Sequence, residues 1–163
     1  MRGTVRVGQR CKAATVLVLT LVASIALGCK AVDKRAYSID TGDMTLDEGL
    51  TLYGLSMPDC PVQDLRYALV GMWGGHDLYL RFSTTATCMK SFLDVNDMVD
   101  IGEVTSTEPF PHGHPKLADV GWTFTDGVSH RLYHPREFQG RDVIAIVDTT
   151  AERPLVSIYG FPV

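Results

Sequence analysis

The sequence lacks the short motifs by which several classes of enzyme are identified. No GxSxG, HExxH, SxxK, GxGxxG, CxxC or P-loop pattern occurs in its 163 residues. Each of these patterns places a nucleophile, a pair of metal ligands or a phosphate-binding backbone loop at a fixed spacing. Their absence leaves no motif-based argument for a serine hydrolase, a zinc protease, a nucleotide-binding enzyme or a thiol oxidoreductase.

Acidic residues are also missing from the start of the chain. Residues 1–12 carry four basic side chains and no acid, and residues 13–28 are uncharged and end in small residues. A basic stretch, an apolar stretch and a small-residue exit are typical of a secretory signal peptide, which we predict over residues 1–28. The apolar stretch has 16 residues. Because roughly 20 are needed to cross a bilayer comfortably, a retained membrane anchor is the second choice.

The exit of this segment, Ala26-Leu27-Gly28-Cys29, resembles the lipobox of bacterial lipoproteins, with Ala26 where leucine is most common. The resemblance implies that Cys29 is lipidated and anchors the protein to the outer face of the cytoplasmic membrane. Residues 29–41 would then be a lipid-attached tether, and residues 42–163 a single domain. Ala26 and Gly28 also fit an ordinary secretory cleavage, which would release a soluble protein.

The charge balance becomes more acidic once the signal peptide is removed. The remaining 135 residues hold 11 basic and 19 acidic side chains, a net charge of −8. Nucleic acids and anionic lipid headgroups both need a basic surface, so this balance argues against both, and we predict no nucleic-acid partner. The predicted partners are the membrane, through lipidated Cys29, and an unknown envelope protein or ligand. No cofactor is predicted.

Cysteine is scarce, and export gives each of the four cysteines a predicted role. Cys11 would leave with the signal peptide, and Cys29 would carry the lipid. The remaining pair, Cys60 and Cys88, is predicted to form a disulfide, because exported proteins fold in an oxidising compartment. The alternative is two unrelated buried thiols.

A predicted β-hairpin around Gly74-Gly75 supports this disulfide. Apolar residues flank the two glycines, which tolerate the positive φ angles of a two-residue turn. If Trp73 faces His76, one face of the hairpin is apolar and the reverse face is mixed and more polar. Continued past the strands, the same register puts residue 60 opposite residue 89, so both cysteines lie at the open end of the hairpin.

Two helices are predicted from their capping residues. Thr45 and Glu48 fit a capping box at the start of a short helix. Thr85 fits the N-cap of a longer helix whose apolar stripe ends at Asn96.

The rest of the chain predicts strands and one long loop. Residues 99–117 contain three prolines, two histidines and two glycines and are predicted to be a loop. Residues 120–124 and 129–134 are predicted to pair, and residues 142–148, apolar on both faces, form a central strand. We therefore expect an α+β fold, with a single antiparallel sheet of about five or six strands and one main helix, residues 85–95, packed on a face.

The histidines form the one constellation from which a metal or catalytic site could be built. His112 and His114 lie in the predicted loop, and His130 and His134 lie on one face of a strand. Positions i and i+4 of a strand are about 13 Å apart, so a zinc or copper site would need the loop to fold over them. We favour the alternative of exposed loop imidazoles beside two half-buried strand residues. No metal ligand and no catalytic residue are therefore predicted.

Several segments of the chain resemble small, uncharacterised lipoproteins of high-GC Gram-positive bacteria. The segments are DLRYAL (Asp64–Leu69), LYLRFSTT (Leu78–Thr85), FLD (Phe92–Asp94) and IVDTT (Ile146–Thr150). The resemblance implies an extracytoplasmic, membrane-tethered single domain and brings no established activity. We expect a non-catalytic binding or interaction role with an unknown ligand. The alternative is a small envelope hydrolase or metal-binding protein that uses the histidines.

Overall fold

The fold is seen in a computed structural model that describes residues 33–72, 74–105, 117–124, 127–137 and 141–162. The helices are α1 (Leu46–Leu52) and α2 (Ala86–Val95), and a short 3₁₀ helix covers Leu117–Val120. The strands are β1 (Gln63–Met72), β2 (Gly75–Ser83), β3 (Met98–Val104), β4 (His130–Pro135), β5 (Arg141–Asp148) and β6 (Leu155–Pro162).

The strands form one antiparallel sheet in the order β1-β2-β6-β5-β4-β3. The last strand of the chain therefore lies between β2 and β5, where it joins the β1–β2 hairpin to the β3–β4–β5 meander. This architecture confirms the predicted α+β fold with a single antiparallel sheet.

Both helices pack on the same side of the sheet, which we call the helix face. Both predicted N-caps are present: the Thr45 and Glu48 side chains form a capping box, and Thr85 Oγ1 accepts a hydrogen bond from the backbone N–H of Cys88 at 3.2 Å. Apolar side chains from both helices bury against alternate residues of the strands, including Leu46, Leu50, Phe92, Leu69, Leu80, Phe82, Val147 and Ile158. Fully burying each large aliphatic or aromatic side chain contributes about 1.5–3 kcal/mol, so this cluster is the main core.

The opposite side of the sheet, which we call the aromatic face, is also buried. Its cluster contains Ala68, Tyr79, Val120, Trp122, Ile144, Ile146 and Tyr159. The Tyr79 ring meets Trp122 edge-on at a centroid distance of 5.7 Å and lies 5.0 Å from the ring of Tyr159. The prediction of a wetter reverse face is therefore wrong over the middle of the sheet, because the chain around Trp122 covers it.

The hairpin register differs from the predicted one by two residues. Met72 pairs with Gly75, and Leu69 pairs with Leu78, so Gly75 belongs to the strand and not to the turn. Gly74 has φ +100°, which glycine adopts readily. A Cβ at Gly75 would lie 3.2 Å from Cγ of Pro162, so Gly75 allows a close approach between strands. A slip of two residues leaves every side chain on its predicted face.

Two predictions about the second half of the chain are wrong. Residues 98–104 form β3, an edge strand paired with β4, although most of this stretch was predicted to be loop. Residues 120–124 are not a strand, because Val120 ends the 3₁₀ helix and the next residues run irregularly across the aromatic face. Charged residues and a bulge at Asp100–Gly102 break the alternation by which a strand is usually identified.

The described part of the predicted tether, residues 33–41, lies along the outer edge of β1. Tyr67 N–H donates to the carbonyl of Arg35 at 3.0 Å, and its own carbonyl accepts from Tyr37 N–H at 2.6 Å. Thr41 N–H donates to the Leu69 carbonyl at 3.0 Å. These bonds satisfy backbone groups that an edge strand would otherwise leave open.

None of the helices within the described residues is long and apolar enough to cross a membrane. The predicted signal peptide and Cys29 lie outside those residues.

Gly160→Ala should destabilise the protein, because a side chain at this position of β6 has no room beneath α1. A Cβ at residue 160 would lie 2.8 Å from two ring carbons of Tyr53. That ring is held in place, because its hydroxyl donates to the carbonyl of His76. Overpacking of this kind costs about 1–3 kcal/mol, which denaturant unfolding would measure. In a Tyr53→Ala background the same substitution should cost much less, and an equal cost in both backgrounds would contradict the clash.

Candidate functional site

The two predicted disulfide cysteines are joined. Cys60 lies in the loop between α1 and β1, and Cys88 lies in the first turn of α2, with their Cα atoms 5.9 Å apart. This distance is within the range that a disulfide requires. The bond links α2, the only helix longer than two turns among the described residues, to the loop before β1. This loop leads into one edge of the sheet.

Of the four candidate histidines, only the two on the strand can be placed. His112 and His114 lie outside the described residues, as does the predicted lipid-attachment residue Cys29. His130 and His134 both lie on β4, at its first and fifth residues.

His130 is buried at the end of β4, with 7 % of its surface exposed. Its ring packs edge-on against Phe124 at a centroid distance of 5.5 Å. Neither ring nitrogen has a hydrogen-bond partner among the described residues.

His134 is partly buried and has partners at both ring nitrogens. Nε2 lies 2.5 Å from Oδ1 of Asp142 on the neighbouring strand, and Nδ1 lies 3.0 Å from the carbonyl of Pro135. Both partners offer oxygen atoms that accept hydrogen bonds. Metal coordination by His134 would require at least one of these contacts to break. Within the described ranges, no group of three or more His, Cys, Asp or Glu side chains is placed to hold a metal ion.

A buried carboxyl group, which the sequence did not single out, lies on the aromatic face. Asp77 of β2 is 7 % exposed, and its Oδ2 accepts a hydrogen bond from the hydroxyl of Tyr159 at 2.8 Å. The Tyr79 ring packs beside Tyr159. In the sequence this aspartate stands next to the hairpin turn, a position where an exposed acid is ordinary, so only the fold reveals its burial.

Burial shifts the ionisation of all three groups toward their neutral forms. Desolvation raises the pKa of Asp77, although the hydrogen bond from Tyr159 opposes this effect. Desolvation, together with the nearby Asp77, raises the pKa of Tyr79 to about 12 and raises the pKa of Tyr159 as well. Asp77 and the two tyrosines form a hydrogen-bonded polar cluster within a core, and the burial of this cluster keeps it from solutes in water.

A small cavity of about 100 Å³ lies at one end of the helix face, between the end of α1 and the end of β4. Its lining includes Tyr53, Leu55, Asn96, Pro135, Arg136 and Val143. Asn96 crosses it at one side, where its side chain bonds both the N–H and the carbonyl of Ser56, at 2.7 and 3.0 Å. The volume is enough for a few water molecules and is well below that of a typical ligand pocket.

A scan against protein-family models and searches of curated proteins and of solved structures found nothing that matches this chain.

Reduction of the Cys60–Cys88 disulfide should lower the free energy of unfolding by about 2–4 kcal/mol, because the bond restricts the unfolded chain. The bond closes a span of 28 residues. Thermal unfolding with and without a reductant would measure the loss. A Cys60→Ala, Cys88→Ala double variant should melt near the temperature of the reduced protein and should not respond to reductant. If both thiols of the folded, oxidised protein react with a labelling reagent, the prediction is wrong.

Asp77→Asn should remove a pH-dependent part of the stability. The raised pKa of folded Asp77 means that its contribution is full below the unfolded pKa, about 4, and is lost as the pH rises through the folded pKa. The asparagine keeps an oxygen that can accept from Tyr159 and cannot ionise. We therefore expect the unfolding free energy of Asp77→Asn, relative to wild type, to increase between about pH 3 and about pH 8.

The control is Asp59→Asn, which removes the same charge from an exposed residue. Its stability relative to wild type should change much less with pH. A flat difference for Asp77→Asn over the same range would show that the buried carboxyl group does not titrate abnormally.

Proposed function

We propose that this protein is a lipoprotein anchored outside the cytoplasmic membrane through Cys29, with a non-catalytic binding or interaction role. The observation that carries the proposal is the N-terminal pattern: four basic residues, an uncharged run and a small-residue exit that ends on a cysteine. The acyl chains of a lipidated cysteine contribute about 0.8 kcal/mol per buried CH₂, so more than one chain gives a stable anchor.

The disulfide supports the exported location. Disulfides persist in oxidising compartments and are rare where thiols are kept reduced. The Cys60–Cys88 bond lies in the part of the chain that would fold outside the membrane, so its presence agrees with export.

The polar groups on the described part of the sheet support a non-catalytic role. His134 has both ring nitrogens engaged by Pro135 and Asp142, and Asp77 is engaged by Tyr159 inside a core. A catalytic acid or base needs a side chain within reach of a substrate in a cleft. These side chains bond to one another, and neither pair lines the small cavity between α1 and β4.

Cys29→Ser should move the protein from the membrane fraction to the medium, or leave it uncleaved, because serine offers no thiol for lipid attachment. Immunoblotting of membrane and medium fractions would measure this, with mass spectrometry of the N-terminal peptide to detect the lipid. Cys11→Ser is the matched control, because it makes the same chemical change within the predicted signal peptide and should leave the protein in the membrane. Membrane retention of a correctly cleaved, unlipidated Cys29→Ser chain would contradict the proposal.

A further inference from the structure

A groove of about 300 Å³ lies on the aromatic face, where the hairpin meets the chain around the 3₁₀ helix. Its lining includes Tyr37, Arg66, Arg81, Val120, Gly121 and Leu155. The groove is therefore lined by apolar residues, by two arginines and by one acid, Asp64, in a chain whose net charge without the predicted signal peptide is −8.

The two arginines are direct cross-strand partners. Arg66 of β1 pairs with Arg81 of β2 in the antiparallel register. Side chains at such positions have Cβ atoms about 4.5–5.5 Å apart, and like charges placed there are destabilising. The pairing of two cations costs stability unless an anion lies between them.

Within the described residues, the Asp148 carboxylate is attracted by the charge of Arg81 but does not form an ion pair with it. Among the described residues, no carboxylate oxygen lies within 4.0 Å of a guanidinium nitrogen of Arg66 or Arg81. Two acids close to the pair have other donors. The Asp64 carboxylate, at the edge of the groove, accepts from the Ser83 hydroxyl at 3.3 Å, and Asp148 accepts from the Thr150 N–H and hydroxyl at 2.8 and 2.6 Å.

Both guanidinium groups are held in position by weak contacts that leave most of their donors open. Arg66 lies over the ring of Tyr37, 5.2 Å from its centroid, and donates to the carbonyl of Ala36 at 3.3 Å. Arg81 donates to the carbonyl of Gly121 at 2.9 Å. A guanidinium group has five N–H donors, so each arginine keeps several for a ligand. Positioned donors bind at a lower entropic cost than free side chains do.

We propose that this groove binds a phosphate group between the side chains of Arg66 and Arg81. Guanidinium groups form paired, charge-assisted hydrogen bonds to phosphate oxygens, and two of them match the charge of one phosphate. This site gives a ligand class to the binding role proposed above. It rests on that proposal only for the location, outside the cytoplasmic membrane, at which the protein would meet the ligand. The phosphate group can come from a solute or from a phospholipid headgroup, because Tyr37 follows the predicted anchor by only eight residues.

The test uses the processed chain, residues 29–163, with Cys29→Ser so that no lipid is attached, and inorganic phosphate as the probe. Calorimetric titration should show binding that Arg66→Gln and Arg81→Gln each weaken about tenfold, as expected for the loss of a charge-assisted contact. Arg136→Gln is the matched control. Arg136 is an exposed arginine that is paired with Asp97 at 3.3 Å, and its loss should change phosphate affinity by less than about twofold. Near-ultraviolet circular dichroism would confirm that each variant is folded.

A measurement on the unsubstituted arginines keeps the test valid if a variant does not fold. On adding phosphate, the Nε–H signals of Arg66 and Arg81 should shift in nuclear magnetic resonance spectra, and that of Arg136 should not. If the protein binds phosphatidylglycerol vesicles and Arg66→Gln abolishes this binding, the source of the phosphate group is a lipid headgroup. If the protein binds inorganic phosphate but not the vesicles, the source is a solute. Absence of phosphate binding, or equal weakening by all three substitutions, would overturn the inference. Neither result would bear on the anchor, which the Cys29→Ser localisation tests separately.

Discussion

The fold depends on the insertion of the last strand, β6, between two parts of the sheet whose strands are not hydrogen-bonded to each other. Its two neighbours, β2 and β5, belong to the β1–β2 hairpin and to the β3–β4–β5 meander. Residues 155–160 of β6 pair with β2, and all eight residues of β6 pair with β5. The β5–β6 pairing is a local hairpin, whereas the β2–β6 pairing joins residues far apart in sequence. The sheet is therefore complete only when β6, which ends at residue 162, is in place. Such long-range pairing is entropically costly and slow to form.

The central position of β6 explains why both faces of the sheet are buried. Alternate residues of β6 enter the two cores, with Val156 and Ile158 on the helix face and Tyr159 on the aromatic face. Where α1 ends over β6 the chain needs glycine, because Gly160 leaves space for the Tyr53 ring. The pattern of two apolar faces in β5, which the sequence does reveal, follows from the same layered arrangement.

Local sequence patterns predicted the helices and strands better than they predicted the tertiary contacts of those elements. Thr45, Glu48 and Thr85 cap the helices as predicted, because a cap depends only on residues within one turn. The disulfide forms despite the two-residue slip in the hairpin register, because Cys60 and Cys88 still lie next to the open end of the hairpin. The local pattern does not show that Gly75 belongs to β2, where a Cβ would lie 3.2 Å from Cγ of Pro162 near the other end of the chain.

Candidate site residues were harder to predict than the elements, for the same reason. Asp77 and His130 are ordinary residues in the sequence, and their surroundings come from tertiary contacts, with Tyr159 bonded to Asp77 and Phe124 packed on His130. The arginine pair is equally hidden, because Arg66 and Arg81 become neighbours only in the correct register and gain Tyr37 only when the segment before α1 lies along β1. Tertiary contacts of this kind leave no periodic pattern in the chain.

The segment from residue 33 to residue 41 links these features to the proposed location. It covers the open edge of β1 through bonds to Tyr67 and Leu69, which protects an edge strand from pairing with other chains. It also supplies Tyr37 to the arginine groove. If Cys29 carries the lipid, five residues separate the anchor from Arg35, the first residue whose backbone is hydrogen-bonded to the sheet, and the chain between them spans at most about 20 Å when extended. The lipid would therefore hold the β1 edge, and the groove beside it, within reach of the membrane surface, where phosphate groups are concentrated.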